Sequence, residues 1–224
     1  MMGAKRQPPG ELIRGISFQY RRRGIWHYLR AGGVIVGLLL MVPALRLSQV
    51  GLLIYSGCLL AAYSLLQEGQ RSMQRADHAL ASARAEAEVA AFVHLLTIQG
   101  WRVEHNLTLK RGNADVVLQS PQGNSFIVDV ISDGGMIVVE QGNLKRRLGD
   151  RNYDFQAGDP LQAVNGQALE IQQIKQMEKA TAILCFTQAR VAFQDQPLQG
   201  VYVVSKRNLV DLLRKLNDEF RVAS

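Results

Sequence analysis

Cysteine is scarce in this 224-residue chain: Cys58 lies in an apolar run and Cys185 in a predicted strand. Two isolated thiols give neither a disulfide framework nor metal-ligand spacing, and they read as small buried hydrophobes of a reducing compartment. Histidine is also rare. His27, His78, His94 and His105 fall beside an apolar segment, on a polar stalk, on a helix and on an early strand. Nothing in their spacing supports a Ser–His–Asp or Cys–His site. A P-loop, a Gly-x-Gly-x-x-Gly after a strand and internal repeats are all missing. Acidic residues are nearly absent from residues 1–30, where Lys5, Arg6, Arg14, Arg21, Arg22, Arg23 and Arg30 face Glu11 alone, a net +6 out of +7 for the whole chain. The rest is close to neutral, so the basicity describes the N-terminus and not a nucleic-acid-binding face on the main domain.

Charge is missing again from Ala31–Leu45 and from Leu47–Leu66, which Arg46 alone divides. The second segment has the 20 residues needed to cross a bilayer core as a helix. The first is shorter and holds Pro43, but it reaches spanning length if Trp26–Arg30 extends the helix and Arg30 snorkels to the headgroups. Arginines and aromatics before an apolar run mark a membrane interface. A secretory signal would have a shorter basic region and a small-residue cleavage site. A buried soluble helix pair is the competing reading, disfavoured by the combined apolar length and the basic flank. The expectation is a basic cytoplasmic segment over residues 1–30, loosely ordered up to Ile16, then a transmembrane helical hairpin over 31–66 with the lipid bilayer as its partner. By the positive-inside rule both termini and the globular domain are cytoplasmic, with which Arg71, Arg75 and Arg84 agree.

From Gln67 to Gln99 there is no proline and much alanine, which predicts a long helix: a stalk over 67–84, then a stripe of Val89, Phe92, Val93 and Leu96 that packs on a sheet. Gly100 ends it. A strand over Trp101–Leu109 follows, then two strands at Ala114–Gln119 and Ser125–Ser132, joined by a turn at Ser120–Asn124. There Pro121 presets φ and Gly123 supplies the positive φ that closes a hairpin. Gly134-Gly135 reads as a turn into a strand over Met136–Gln141, and the polar run Gln141–Asp159 as a surface hairpin and loop. Asp159 caps a helix with Pro160 in its first turn and Leu161, Val164, Ala168, Ile171 and Ile174 buried. Thr181–Thr187 and Val201–Ser205 are the last strands, with a loop at Gln194–Gly200 between them. Asn208 caps a closing helix on Leu209, Leu212, Leu213 and Leu216. The order predicts an α/β layered domain over residues 85–216, a mixed sheet flanked by helices, before a tail over 217–224.

Asp115 and Asp129 each interrupt an apolar strand. A buried unpaired carboxylate is costly, so two on neighbouring strands call for a shared reason, and a divalent cation such as Mg²⁺ or Mn²⁺ supplies one. Each aspartate taken alone also reads as a frayed strand end facing water.

Gly112-Asn113-Ala114-Asp115-Val116-Val117, then Pro121-Gln122-Gly123, then Phe126-Ile127-Val128-Asp129-Val130 resembles the nuclease-related (NERD) domain. The resemblance covers residues 85–216 and implies a restriction-endonuclease-like fold whose metal site is an Asp followed by an acidic-x-Lys on the next strand. Asp115 and Asp129 match the two acidic positions, and Ile131 stands where the lysine would be. The resemblance also implies an acidic position in the first helix, best matched by Glu86 with Glu88 as runner-up, and a Pro-x-Gln glutamine facing the metal, matched by Gln162. Two functions follow. One is a membrane-anchored, metal-dependent nuclease of DNA or RNA with Asp115, Asp129, Glu86 and Gln162 at its site, in which Lys110 or Lys145 substitutes for the missing lysine. The other is a catalytically degenerate domain kept as a membrane-tethered binding or scaffolding module.

Overall fold

The computed structural model describes residues 11–41, 49–110, 112–177, 179–193 and 196–223. The chain divides into a compact unit over Leu12–Ala81 and a second that contains Ser82–Ser224. Residues 1–10 of the basic segment, the 42–48 stretch carrying Pro43 and Arg46, and Gln194 and Asp195 of the late loop lie outside the described residues.

Helix α1 runs over Glu11–Met41 and α2 over Gln49–Thr97. The helix thus begins well before the expected loosely ordered stretch ends at Ile16, and α2 joins the second apolar segment to the stalk without a break. No proline interrupts either helix as described. Within the first unit the usual burial order is inverted. Small residues are inside: Ala31, Ala62, Ser72 and Ala76 are buried, Gly24 lies against the Met73 side chain, and Gly69 against the Tyr28 ring. Large apolar residues face out, among them Trp26, Leu29, Leu40, Leu53, Leu60 and Tyr63. Among the described residues one helical segment, Ser17–Met41, is long and apolar enough to cross a membrane.

The second unit is built on a seven-stranded mixed sheet flanked by helices. Its strands are β1 (Arg102–Leu109), β2 (Gly112–Gln119), β3 (Ser125–Glu140), β4 (Asn143–Leu148), β5 (Arg151–Tyr153), β6 (Ala180–Val191) and β7 (Val201–Ser205). Helix α3 spans Pro160–Lys175, and α4 spans Leu209–Ala223 after a short 3₁₀ turn at Lys206–Asn208. β3 is the axis. Its first residues pair antiparallel with β2 and its last with β4, while parallel β6 follows most of its length on the other side and β7 extends the sheet beyond β6. One face packs Val116, Leu118, Phe126 and Val128 against α2 through Val89, Val93 and Leu96, and against α4 through Leu209, Leu213 and Leu216. The other packs Ala114, Val117, Ile127 and Leu184 against α3 through Leu161, Val164 and Ile171.

Three local expectations need correction. Gly134-Gly135 is not a turn: β3 runs straight through it, with a register shift against β6 between Ile131 and Gly134. The irregularity falls just before the glycines, and Gly135 marks the place where the β4 backbone comes close. The polar run after Gln141 does form the expected hairpin, β4 and β5 paired antiparallel, before the chain loops on to Asp159. Phe92 is exposed and the α2 stripe uses Ala85 and Ala90 in its place, while Ile174 faces solvent on α3.

Gly135 supplies a direct test of the close approach of β4 to β3. Its φ is +105°, and a Cβ there would lie 2.7 Å from the Arg147 carbonyl oxygen and 2.9 Å from Leu148 Cδ2. Gly135→Ala is expected to cost about 2–3 kcal/mol of stability in thermal unfolding, combining backbone strain with the clash. Gly134→Ala meets no atom within 4 Å and is expected to be far milder. Equal effects at both positions would mean that the β3–β4 approach is wrong.

Candidate functional site

Two strands that pair over only part of their length leave backbone groups to be satisfied elsewhere, and this is where the site forms. The β2–β3 ladder runs from Gln119↔Ser125 to Val116↔Val128 and stops there. The next pair would join Asp115 to Asp129. Instead the Asp115 side chain reaches across, and its Oδ2 accepts the Val130 N–H at 2.8 Å. On its other side Asp115 would pair with Asn106, but Asn106 has φ +53° and drops out of the β1–β2 ladder. Asparagine tolerates the left-handed region, so it can be the residue at which β1 yields. Beyond Val128, β3 regains a partner on that edge only at Met136, where β4 begins. The aspartates therefore sit in a gap between β2 and β4.

Asp115 and Asp129 are both half-buried and hydrogen-bonded to each other through their side chains. Burial pushes the Asp115 carboxyl well above the ordinary carboxylate range, with repulsion from Asp129 and then Glu86 adding to it and the Val130 N–H opposing it. Burial raises Asp129 too, against hydrogen bonds from Asp115 and Gln167 that favour its charged form. Two facing carboxylates acting as acceptors alone would repel, and a shared proton relieves this.

Glu86 is buried on α2, on the same helix face as Val89, Ala90 and Val93, and its charge is felt at Asp115. Glu88 is exposed and ion-paired with Lys206, so the runner-up is engaged elsewhere. Gln162 is exposed, one helical step around from the buried Leu161. The glutamine brought to the site is Gln167, which is 6% exposed. Its Nε2 donates to the Asn113 carbonyl at 3.2 Å, and its side chain bonds Asp129. Its Oε1 is buried without a hydrogen-bond partner. The signal was present in the sequence, because position 167 continues the spacing of Leu161, Val164, Ala168 and Ile171 as the one polar residue on that stripe.

Ile131 lies two residues beyond Asp129 on the same face and packs on the apolar cluster under α3. Lys110 is exposed, with its backbone N–H donating to Glu170 Oε1 at 2.6 Å. Lys145 is ion-paired with Asp154, and its neighbour Arg146 with Asp133 at 3.1 Å. No lysine or arginine contributes to the shift of either aspartate. Among the described residues no group of three or more His, Cys, Asp or Glu side chains is arranged to hold a metal ion, so a cation here would rest on the two aspartates.

The sequence model described as "NERD: Nuclease-related domain" matches residues 81–203, more than half of the chain. No curated protein and no solved structure matches it.

Proposed function

The chain belongs to the nuclease-related domain family, and from that premise we propose a membrane-anchored protein that hydrolyses phosphodiester bonds of nucleic acid at the Asp115–Asp129 pair with Mg²⁺ or Mn²⁺. The observation that carries this reading is the pair itself, two half-buried aspartates in mutual contact whose charged neighbour is a third acid. The donor set fits the cation. Mg²⁺ binds through one or two carboxylates and keeps several waters, and the buried Gln167 Oε1 is an acceptor that one such water would satisfy. When bound, the cation neutralises phosphate charge and lowers the pKa of water. The protein's own part is positional. The Val130 N–H fixes the Asp115 carboxylate, Gln167 steadies Asp129, and Glu86 adds negative charge that holds positive charge at the pair, a proton or a cation alike. The missing lysine is a handicap, since loss of one preorganised charge stabiliser costs on the order of 10²–10³ in rate.

The packing of Ile131 favours a second reading, a degenerate domain that binds without cleaving. Metal-dependent cleavage of single- and double-stranded DNA and of RNA by the full-length protein distinguishes the two. Activity in the wild type that Asp129→Asn removes supports hydrolysis. Its absence in the wild type leaves the binding module.

The anchor is proposed to be a two-pass hairpin. The outward-facing Leu52, Leu53, Leu59, Leu60 and Tyr63 on α2 match those on α1, and the arginine-rich N-terminus sets both termini in the cytoplasm. The protein is expected to stay with membranes through high-salt and alkaline washes, and both termini to resist protease added outside intact cells. An externally cleaved C-terminus would overturn the hairpin.

A further inference from the structure

A second polar cavity lies at the opposite end of the β3–β6 pair. It occupies about 740 Å³ between the β2–β3 turn, the C-terminal end of α3 and Phe220 of α4. Ser125, on its wall, is four residues before Asp129, roughly 13 Å away along the strand, so the two sites are separate.

The lining is rich in hydrogen-bond donors and carries positive charge. Gln122, Asn124, Ser125, Lys175, Lys179 and Thr181 face the space, and no Asp or Glu is among the described residues that line it. The side walls are fixed. Asn124 Nδ2 donates to Asn217 Oδ1 at 3.1 Å, and Asn217 Nδ2 donates to Gln122 Oε1 at 3.0 Å, which ties the turn to α4. Lys175 is held by Glu104 at 2.6 Å. Lys179 sits 4.8 Å from the centre of the Phe220 ring and is in no ion pair among the described residues. The independent sign of a ligand is Ser125. It is only 3% exposed, yet its Oγ has no hydrogen-bond partner. A buried hydroxyl left unsatisfied is unfavourable, and Ser125 belongs to the wall of this cavity together with Lys175 and Lys179.

We propose that this cavity binds a phosphate group, either free or as the terminal phosphomonoester of a nucleic-acid strand. A phosphate oxygen accepts from the Ser125 hydroxyl while Lys179, with Lys175 beside it, supplies the charge. The site does not rest on metal binding or cleavage at the aspartates, and Asp129→Asn is expected to leave it intact.

The test is lysine acetylation footprinting of the full-length protein in neutral detergent, read by mass spectrometry at constant ionic strength. Inorganic phosphate is expected to slow acetylation of Lys179 several-fold while leaving Lys215, exposed on α4, unchanged. Ser125→Ala is expected to raise the half-protecting concentration about tenfold, the scale of one hydrogen bond to a charged group. Lys179→Gln, a surface change that spares the fold, should remove protection of Lys175. A 5′-phosphorylated oligonucleotide separates the two sources. Protection at much lower concentration than free phosphate assigns strand ends, and equal potency assigns the free anion. Equal slowing at Lys215, wild-type protection in both variants, or equal protection by a 5′-hydroxyl oligonucleotide would overturn the proposal.

Discussion

Ile131→Lys is expected to raise metal-dependent cleavage of nucleic acid by about 10²–10³ over the wild type, the scale of restoring one preorganised charge stabiliser. The substitution acts on a prepared face. Position 131 and Asp129 project from the same side of β3, and that edge of β3 carries no strand partner between Val128 and Met136. A lysine there can lay its methylenes along the apolar cluster that Ile131 now covers and lift its ammonium toward the gap, the usual way an amphipathic side chain divides itself. Ile131→Met keeps the volume without the charge and is expected to change nothing, which separates electrostatics from repacking. Adding Asp129→Asn to the lysine variant should abolish the gain. If the lysine variant folds with an unchanged melting temperature, binds Mn²⁺ and still cleaves no better than wild type, position 131 is not the defect.

The parts of this site written in local chemistry could be read from the chain. Pro121 and Gly123 announce the β2–β3 turn, and Asp115 and Asp129 stand out because each interrupts a run whose other members seek the core. Glu86 could be placed because the family resemblance implies an acid in the first helix and helix periodicity puts this one in line with Val89. What escaped depended on distant partners. Gly134-Gly135 has the same local meaning in a turn and in a strand that another backbone approaches, and only the nearness of the Arg147 carbonyl decides between them. The β4–β5 hairpin could be read from its polar, glycine-punctuated run, but the ladder that joins β4 to β3 is one that no local pattern reveals. The glutamine was misplaced for the same reason. Gln162 follows Pro160 in the expected motif, but the helix phase set by Leu161 and Val164 turns it to water and turns Gln167 inward.

Asp115→Asn and Asp129→Asn are each expected to weaken Mn²⁺ binding by about 100-fold or more, since even orienting partners of a metal ligand are worth roughly 10–100-fold. Both should also stabilise the metal-free protein at neutral pH. In Asp115→Asn the amide oxygen can still accept the Val130 N–H while its NH₂ donates to Asp129, so repulsion is replaced by a hydrogen bond. The pH dependence gives the sign. Both carboxyls are raised in the folded protein above the ordinary value of 3.8. Below that value both are protonated in the folded and the unfolded chain and cost nothing. As pH rises past it, the unfolded chain releases protons that the folded pair retains. Wild-type stability in chelator should therefore fall with rising pH until the raised pKa values are passed, and each Asn variant should flatten the fall. Saturating Mn²⁺ should oppose the fall in the wild type only, because the cation stabilises the ionised pair by mass action. Thermal unfolding of the full-length protein and of both variants, with chelator and with Mn²⁺ across the acid-to-neutral range, reads all of these together. Parallel curves for all three proteins under both conditions would reduce Asp115 and Asp129 to two unrelated strand-end carboxylates and remove the basis for a metal site here.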